Sequence, residues 1–213
     1  MKNLEFNKIH TKIIVLKWKK LLDNFFFEKI ELTNKEKKFF FSLSSKKKKK
    51  EFLGVRYALK YLGIKVNVFY DKKKKIFLYK KKKNIISLSH SYDKMAIAIS
   101  YHHIGIDIEK FRYDNKILKI KNKFIRNDEN IFIQKKLNNE IDYLYIIWGI
   151  KESLYKLTGG IFYNFLKNYK VSPFCIQKNF PISCWILKNS CSIKFSAFYR
   201  KIGDYYLVYS IDI

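Results

Sequence analysis

The chain has 213 residues, 48% of them apolar and 18% aromatic, which is enough to bury a core as one domain or two small ones and too apolar for a disordered chain. Its net charge of +27 invites a nucleic-acid partner. Only Arg56, Arg112, Arg126 and Arg200 are arginine among 45 basic side chains, however, and arginine is the better reader of bases and phosphates. The chain is rich in Lys, Asn, Ile, Phe and Tyr, all served by A/T-rich codons, so lysine runs such as 46–50, 72–75 and 80–83 are expected to be solvated faces, and nucleic acid is disfavoured. No apolar run approaches the roughly 18 to 20 residues that cross a bilayer. The opening MKNLEFNKIH has no secretory apolar stretch, so no membrane association and a cytoplasmic location are expected. Cys175, Cys184 and Cys191 match no zinc spacing and are expected to be reduced and mostly packed.

A strand over 12–18 is expected first. Thr33 then caps a helix to residue 43, with Glu36 completing a capping box. A second helix runs over 45–62, with Phe52, Val55, Leu59 and Leu62 at helical spacing and Gly63 as its stop. Five strands follow, at 66–70, 76–79, 85–89, 95–101 and 104–109; in the fourth, Met95, Ile97 and Ile99 alternate with Ala96, Ala98 and Ser100. Helical patterning returns over 115–136 and 138–157, where Gly159 and Gly160 end it. After Pro173 strands are expected at 184–187, 193–199 and 205–213. The fold class is therefore α+β. Two similar lobes are expected, each a small, mostly antiparallel sheet with packed helices, divided near 101–104 into residues 1–102 and 103–213.

Three local patterns carry chemistry. In Gly105-Ile106-Asp107-Ile108-Glu109 a strand would send Asp107 and Glu109 to one side and the isoleucines to a core. Two acids on one face repel unless a cation offsets them, and hard oxygen ligands suit Mg²⁺, which completes its shell with water and substrate phosphates. Alone, the pair is equally a solvent-facing strand edge. In Trp148-Gly149-Ile150-Lys151-Glu152-Ser153-Leu154-Tyr155-Lys156, Glu152 and Lys156 share a helix face, either as a surface ion pair or as a further metal carboxylate beside a phosphate-holding lysine. Their otherwise apolar helix favours the second. Ser87-Leu88-Ser89-His90-Ser91 ends a strand with groups able to donate to phosphate oxygens.

In this order, SLSHS, GIDIE and WGIKESLYK resemble the 4′-phosphopantetheinyl transferase superfamily, over about residues 46–160. The length resembles its long, surfactin-synthetase-activating type, a pseudo-two-fold monomer that encloses coenzyme A between two lobes, rather than the short trimeric holo-acyl-carrier-protein synthases. The resemblance implies Mg²⁺ on Asp107, Glu109 and Glu152, phosphate-binding Lys151 and Lys156, and coenzyme A contacts from Ser89 and His90. It further implies nucleotide-end contacts from Arg56, Lys48 and Lys75. Asp107, Glu152 and Lys156 become the catalytic residues, with Glu152 the base that takes the carrier serine's proton. The reaction implied moves the phosphopantetheine arm of coenzyme A to a serine of an acidic acyl or peptidyl carrier protein, as in fatty-acid biosynthesis, and releases 3′,5′-ADP. Lys116, Lys119, Lys121, Lys123 and Phe124 offer a docking surface for such a carrier. One departure stands out: the family's Gly-Lys-Pro segment falls on 70–78, where Gly and Pro are absent and Lys75 alone supplies the cation. The alternatives are a non-enzymatic nucleic-acid-binding protein, another metal-dependent phosphoryl enzyme, or a decayed member that folds without turnover.

Overall fold

The computed structural model describes residues 2–6, 11–17, 30–62, 68–70, 76–78, 85–112, 116–135, 139–176, 180–188 and 191–212. In chain order the elements are β1 (Lys2–Phe6), β2 (Thr11–Lys17), α1 (Asn34–Ser42), α2 (Lys46–Tyr61), β3 (Val68–Tyr70), β4 (Ile76–Leu78), β5 (Ile85–Ser91), β6 (Lys94–Ser100) and β7 (Ile104–Lys110). They continue with α3 (Lys116–Ile120), a 3₁₀ turn (Lys121–Lys123), α4 (Asn127–Gln134), α5 (Glu140–Leu157), α6 (Phe165–Asn168), β8 (Tyr169–Val171), β9 (Ile182–Lys188), β10 (Cys191–Ile202) and β11 (Tyr205–Ile211).

Two antiparallel sheets result, ordered β1-β2-β6-β5-β4-β3 and β7-β11-β10-β9-β8, and the α+β expectation holds. The strand period of two builds the layers. On β2 and β6, Ile14, Leu16, Met95, Ile97 and Ile99 face α2, meeting Val55, Ala58 and Leu59. Their neighbours Ile13, Ala96 and Ala98 face the second sheet, meeting Ile104, Ile106, Ile108, Leu207 and Tyr209. On the far side of that sheet, Tyr206 and Val208 pack under α5 with Ile146, Ile147, Ile150 and Leu154. The stack is α2, first sheet, second sheet, α5, with apolar packing at every seam. Burying one such isoleucine contributes roughly 1.5–3 kcal/mol.

Several elements follow the sequence closely. Thr33 Oγ1 accepts from Glu36 N–H at 3.3 Å and Thr33 N–H donates to the Glu36 carboxylate at 3.0 Å, the reciprocal box expected at α1. Others differ. The single helix expected over 115–136 is broken into α3, the 3₁₀ turn and α4. Phe124 and Ile125 are buried in the core beneath α5, and a continuous helix would not turn both inward before restarting at the Arg126 cap, where Glu129 accepts from the Arg126 N–H. Three short elements, β1, β8 and α6, carry too few residues for periodicity to reveal them. Gly63, and Lys75 in the 71–75 stretch, lie outside the described residues. The cysteines are unbridged; Cys184 is buried, Cys175 half-buried and Cys191 exposed. No helix among the described residues is long and apolar enough to cross a membrane.

β7 approaches α5 closely. A Cβ built on Gly105 would lie 1.8 Å from the Ser153 carbonyl oxygen and 3.0 Å from Leu157 N. Both are helix backbone and cannot step aside. Gly149 faces the sheet similarly, where a Cβ would come within 2.6 Å of Val208 Cγ2. Gly105→Ala should therefore push α5 off β7. We expect a loss of about 3 kcal/mol, at the upper end of overpacking costs, read by urea denaturation; Gly203→Ala is the positive-φ control, because a Cβ there meets nothing.

Candidate active site

Ile106 and Ile108 are fully buried in the inter-sheet core, so Gly105, Asp107 and Glu109 take the opposite face of β7, toward α5. β7 is the edge strand of its sheet, leaving N–H groups that no strand of that sheet receives. Serines on β5 receive them. Ser87 Oγ accepts from Ile106 N–H at 3.0 Å and Ser91 Oγ from Lys110 N–H at 3.1 Å. The same row meets the acids: Ser89 Oγ donates to Asp107 Oδ1 at 2.8 Å and Ser91 Oγ to Glu109 Oε2 at 2.9 Å. The Ser-x-Ser-x-Ser pattern is thus a ladder that joins the two sheets and orients both carboxylates.

From the other side, α5 brings Lys156, whose Nζ lies 2.6 Å from Asp107 Oδ1 and 2.8 Å from Ser89 Oγ. Glu152, one turn earlier, has no hydrogen-bond partner among the described residues. It is close enough to feel the same charges: burial first, then the Asp107 charge, pushes its carboxyl up to about 7, against the pull of Lys156. Glu109 is also pushed up to about 7 by burial and then by Asp107, with Ser91 and Lys156 opposing. Three partly or fully buried acids thus share one nearby lysine.

The donor set fits a hard divalent cation. Asp107 Oδ2 is buried and, among the described residues, unpartnered, a costly arrangement without a ligand. Among the described residues no three His, Cys, Asp or Glu side chains are already drawn to coordinating distance; Lys156 supplies the counter-charge at Asp107 instead.

Other expected site residues lie elsewhere. Strand alternation separates Ser89 from His90: the serine joins the ladder, while His90 Nε2 faces α2, 2.9 Å from Glu51 Oε1. Lys48, exposed one turn before Glu51, lies at the same end of α2. Arg56 is not an open nucleotide contact. Its side chain is 7% exposed, its Nε is 3.2 Å from Glu36 Oε1, and its guanidinium lies 3.4 Å from the Phe52 ring centroid. Lys151 is turned away from the acids altogether. It is 0% exposed, with Nζ 2.7 Å from Glu129 Oε2 and 2.6 Å from the Phe124 carbonyl oxygen. The expected docking surface also shrinks, because Phe124 is core, edge-on to Trp148 at 5.1 Å, and Lys121 pairs with Glu140 at 2.8 Å. Lys116, Lys119 and Lys123 remain exposed.

Sequence reasoning read Ser87 and Ser91 as phosphate donors rather than as partners of β7, and missed Glu129. The period-two serines were a readable signal for the ladder. Ile147, Lys151 and Leu154 at i, i+4, i+7 place Lys151 on the buried stripe of α5, which was the signal for its partner.

A family profile, the 4′-phosphopantetheinyl transferase superfamily, matches residues 103–208, about half of the chain. The chain belongs to this superfamily. The matched span contains Asp107, Glu109, Glu152 and Lys156 and thus the whole carboxylate cluster. The 4′-phosphopantetheinyl transferase gsp of Aneurinibacillus migulanus is 35% identical over 91 residues, which are 42% of this chain and 35% of that protein. The aligned part of the chain spans about a third of that relative's length.

The raised carboxyls of this superfamily member make a stability prediction. A carboxyl held near 7 in the folded protein and near 4.5 unfolded binds more protons when folded, so stability falls as pH rises through this window. In EDTA, the melting temperature should drop by several degrees between pH 5.5 and pH 8. Mg²⁺ should flatten that slope, and Glu109→Gln/Glu152→Gln should remove most of it. A slope unchanged in the double variant would refute the assignment.

Proposed function

We propose that the protein is a Mg²⁺-dependent phosphopantetheinyl transferase that moves the 4′-phosphopantetheine arm of coenzyme A to a serine of a carrier protein and releases 3′,5′-ADP. The observation that carries this reading is the convergence of Asp107, Glu109, Glu152 and Lys156, from two elements, on one buried spot within the superfamily's matched span.

In this reading Asp107, Glu109 and Glu152 hold Mg²⁺, which when bound supplies Lewis-acid stabilisation of charge at the pyrophosphate. Lys156, pinned at Asp107 and Ser89, would stabilise the oxygens of the phosphate under attack, the dominant contribution in phosphoryl transfer. Glu152, without a hydrogen-bond partner among the described residues, is the proposed base for the serine proton. His90 and Lys48, across β5 from the acids, are the proposed nucleotide-end contacts, joined by Lys75. The lobes 1–102 and 103–213 enclose the coenzyme in one cytoplasmic, monomeric, long-type enzyme. The exposed lysines beyond β7 favour an acidic carrier.

The test is mass spectrometry of apo carrier proteins of fatty-acid, polyketide and peptide-synthetase types, incubated with the protein, coenzyme A and Mg²⁺. A gain of one phosphopantetheine is expected, absent in EDTA and abolished by Asp107→Ala and Glu152→Ala. Lys156→Ala should lower kcat by about 100-fold or more. No gain on any carrier by a folded protein would sink the reading.

A further inference from the structure

Lys151 and Glu129 form an ion pair with 0% and 1% of their side chains exposed, outside the carboxylate cluster. The lysine's three protons meet three different segments: Glu129 Oε2 on α4 at 2.7 Å, the Phe124 carbonyl after the 3₁₀ turn at 2.6 Å, and the Phe165 carbonyl at the start of α6 at 3.4 Å. Glu129 is held in turn by Val171 N–H of β8 at 2.9 Å and Arg126 N–H at 3.0 Å. Burial pulls the ammonium below its ordinary range while the glutamate beside it opposes the shift. A buried pair of this kind rarely adds net stability over an apolar replacement, whereas losing one partner is strongly destabilising.

What the pair does fix is direction. Successive helix residues are about 100° apart, so Glu152 points about 100° and Lys156 about 140° around α5 from Lys151. Anchoring Lys151 to α4, α6 and the Phe124 loop turns Glu152 and Lys156 toward Asp107. Gly105 and Gly149 set how near α5 lies to the sheet, and the polar contacts of Glu140, Asp142, Tyr143 and Tyr145 hold the N-terminal half of the helix, away from Glu152 and Lys156. In the C-terminal half, Ser153 Oγ lies 2.6 Å from Ser210 Oγ, a neutral contact beside the ionic one made by Lys151. We propose that the buried Lys151–Glu129 pair is a positioning device that sets the rotation of α5 and thereby aims Glu152 and Lys156 at the Asp107 carboxylate, so that Lys151 is a positioning residue rather than a phosphate ligand. The proposal concerns the site of the reading above, but its geometry does not depend on turnover.

The test separates the two. Lys151→Met alone strands a buried carboxylate and can fail to fold, so the decisive variant is the apolar swap Lys151→Met/Glu129→Leu, which keeps the volume filled. In EDTA, the coupling between Asp107 and Lys156 is measured by a denaturation double-mutant cycle with Asp107→Asn and Lys156→Met, in the native and swapped backgrounds. The swap is expected to fold, less stably than the native protein because the Val171 and Arg126 N–H groups and the Phe124 carbonyl lose their side-chain partners, to lose at least half of that coupling, and to lose the Mg²⁺-induced rise in melting temperature. If the native protein transfers phosphopantetheine, the swap should lower kcat at least tenfold with little change in KM for coenzyme A. The proposal is overturned if the swapped protein keeps the full coupling and Mg²⁺ response, or if its KM for coenzyme A rises while the coupling stays intact, as a phosphate ligand requires. Absence of transfer by the native protein would remove the enzyme reading and leave the coupling measurement to decide this one.

Discussion

Everything at the site depends on how closely α5 lies on β7. Gly105 has no Cβ, and any other residue would drive one to 1.8 Å from the Ser153 carbonyl. Because the backbones come this near, a carboxylate on the strand and a lysine on the helix meet at 2.6 Å. The same closeness removes water. Glu109 and Glu152 are pushed up to about 7 chiefly by burial, and burial follows from the helix sitting down on the sheet. Geometry and electrostatics here have one cause.

That cause creates an imbalance that a ligand is suited to relieve. Lys156 is the cation that opposes the rise at Glu109 and Glu152, and it pairs with Asp107. With all three ionised the cluster would carry two uncompensated negative charges in a partly dry pocket, which is costly. It can resolve this by keeping protons, as the raised values describe, or by taking up a divalent cation. A protein of net charge +27 nonetheless assembles a locally acidic site, so the overall charge says nothing about this spot. Long-range attraction of a polyphosphate would be screened beyond roughly 8 Å at physiological ionic strength, whereas the buried cluster acts at contact distance.

The sequence made some of this legible and hid the rest for definable reasons. Period-two alternation placed Asp107 and Glu109 together and the isoleucines opposite, because that inference needs only the strand itself. The Thr33–Glu36 box was equally local. The adjacency in Lys151-Glu152 says nothing about which side of the helix has a partner, so it did not reveal the pairing of Lys151 with Glu129. Glu129 is 22 positions away on a different helix. The basic segment around Arg56 likewise did not reveal that Glu36 and the Phe52 face engage it. Long-range pairings of charge decide whether a cation is available to a ligand, and a periodic pattern does not encode them.

The strand β5 shows how one short segment can serve two purposes. Its odd positions, Ser87, Ser89 and Ser91, satisfy the open edge of β7 and steer its acids. Its even positions, Ile86, Leu88 and His90, face α2, the first two in its core and the last against Glu51. A one-residue slip in register would exchange the two sets, putting leucine against carboxylates and serine into the apolar layer. Seven β5–β6 pairings, Ile85↔Ser100 through Ser91↔Lys94, hold that register, and Met95, Ile97 and Ile99 in the α2-facing layer make the slipped alternative expensive. The first sheet therefore belongs to the site as much as the second: it supplies no carboxylate, but its register decides where the carboxylates of β7 can point.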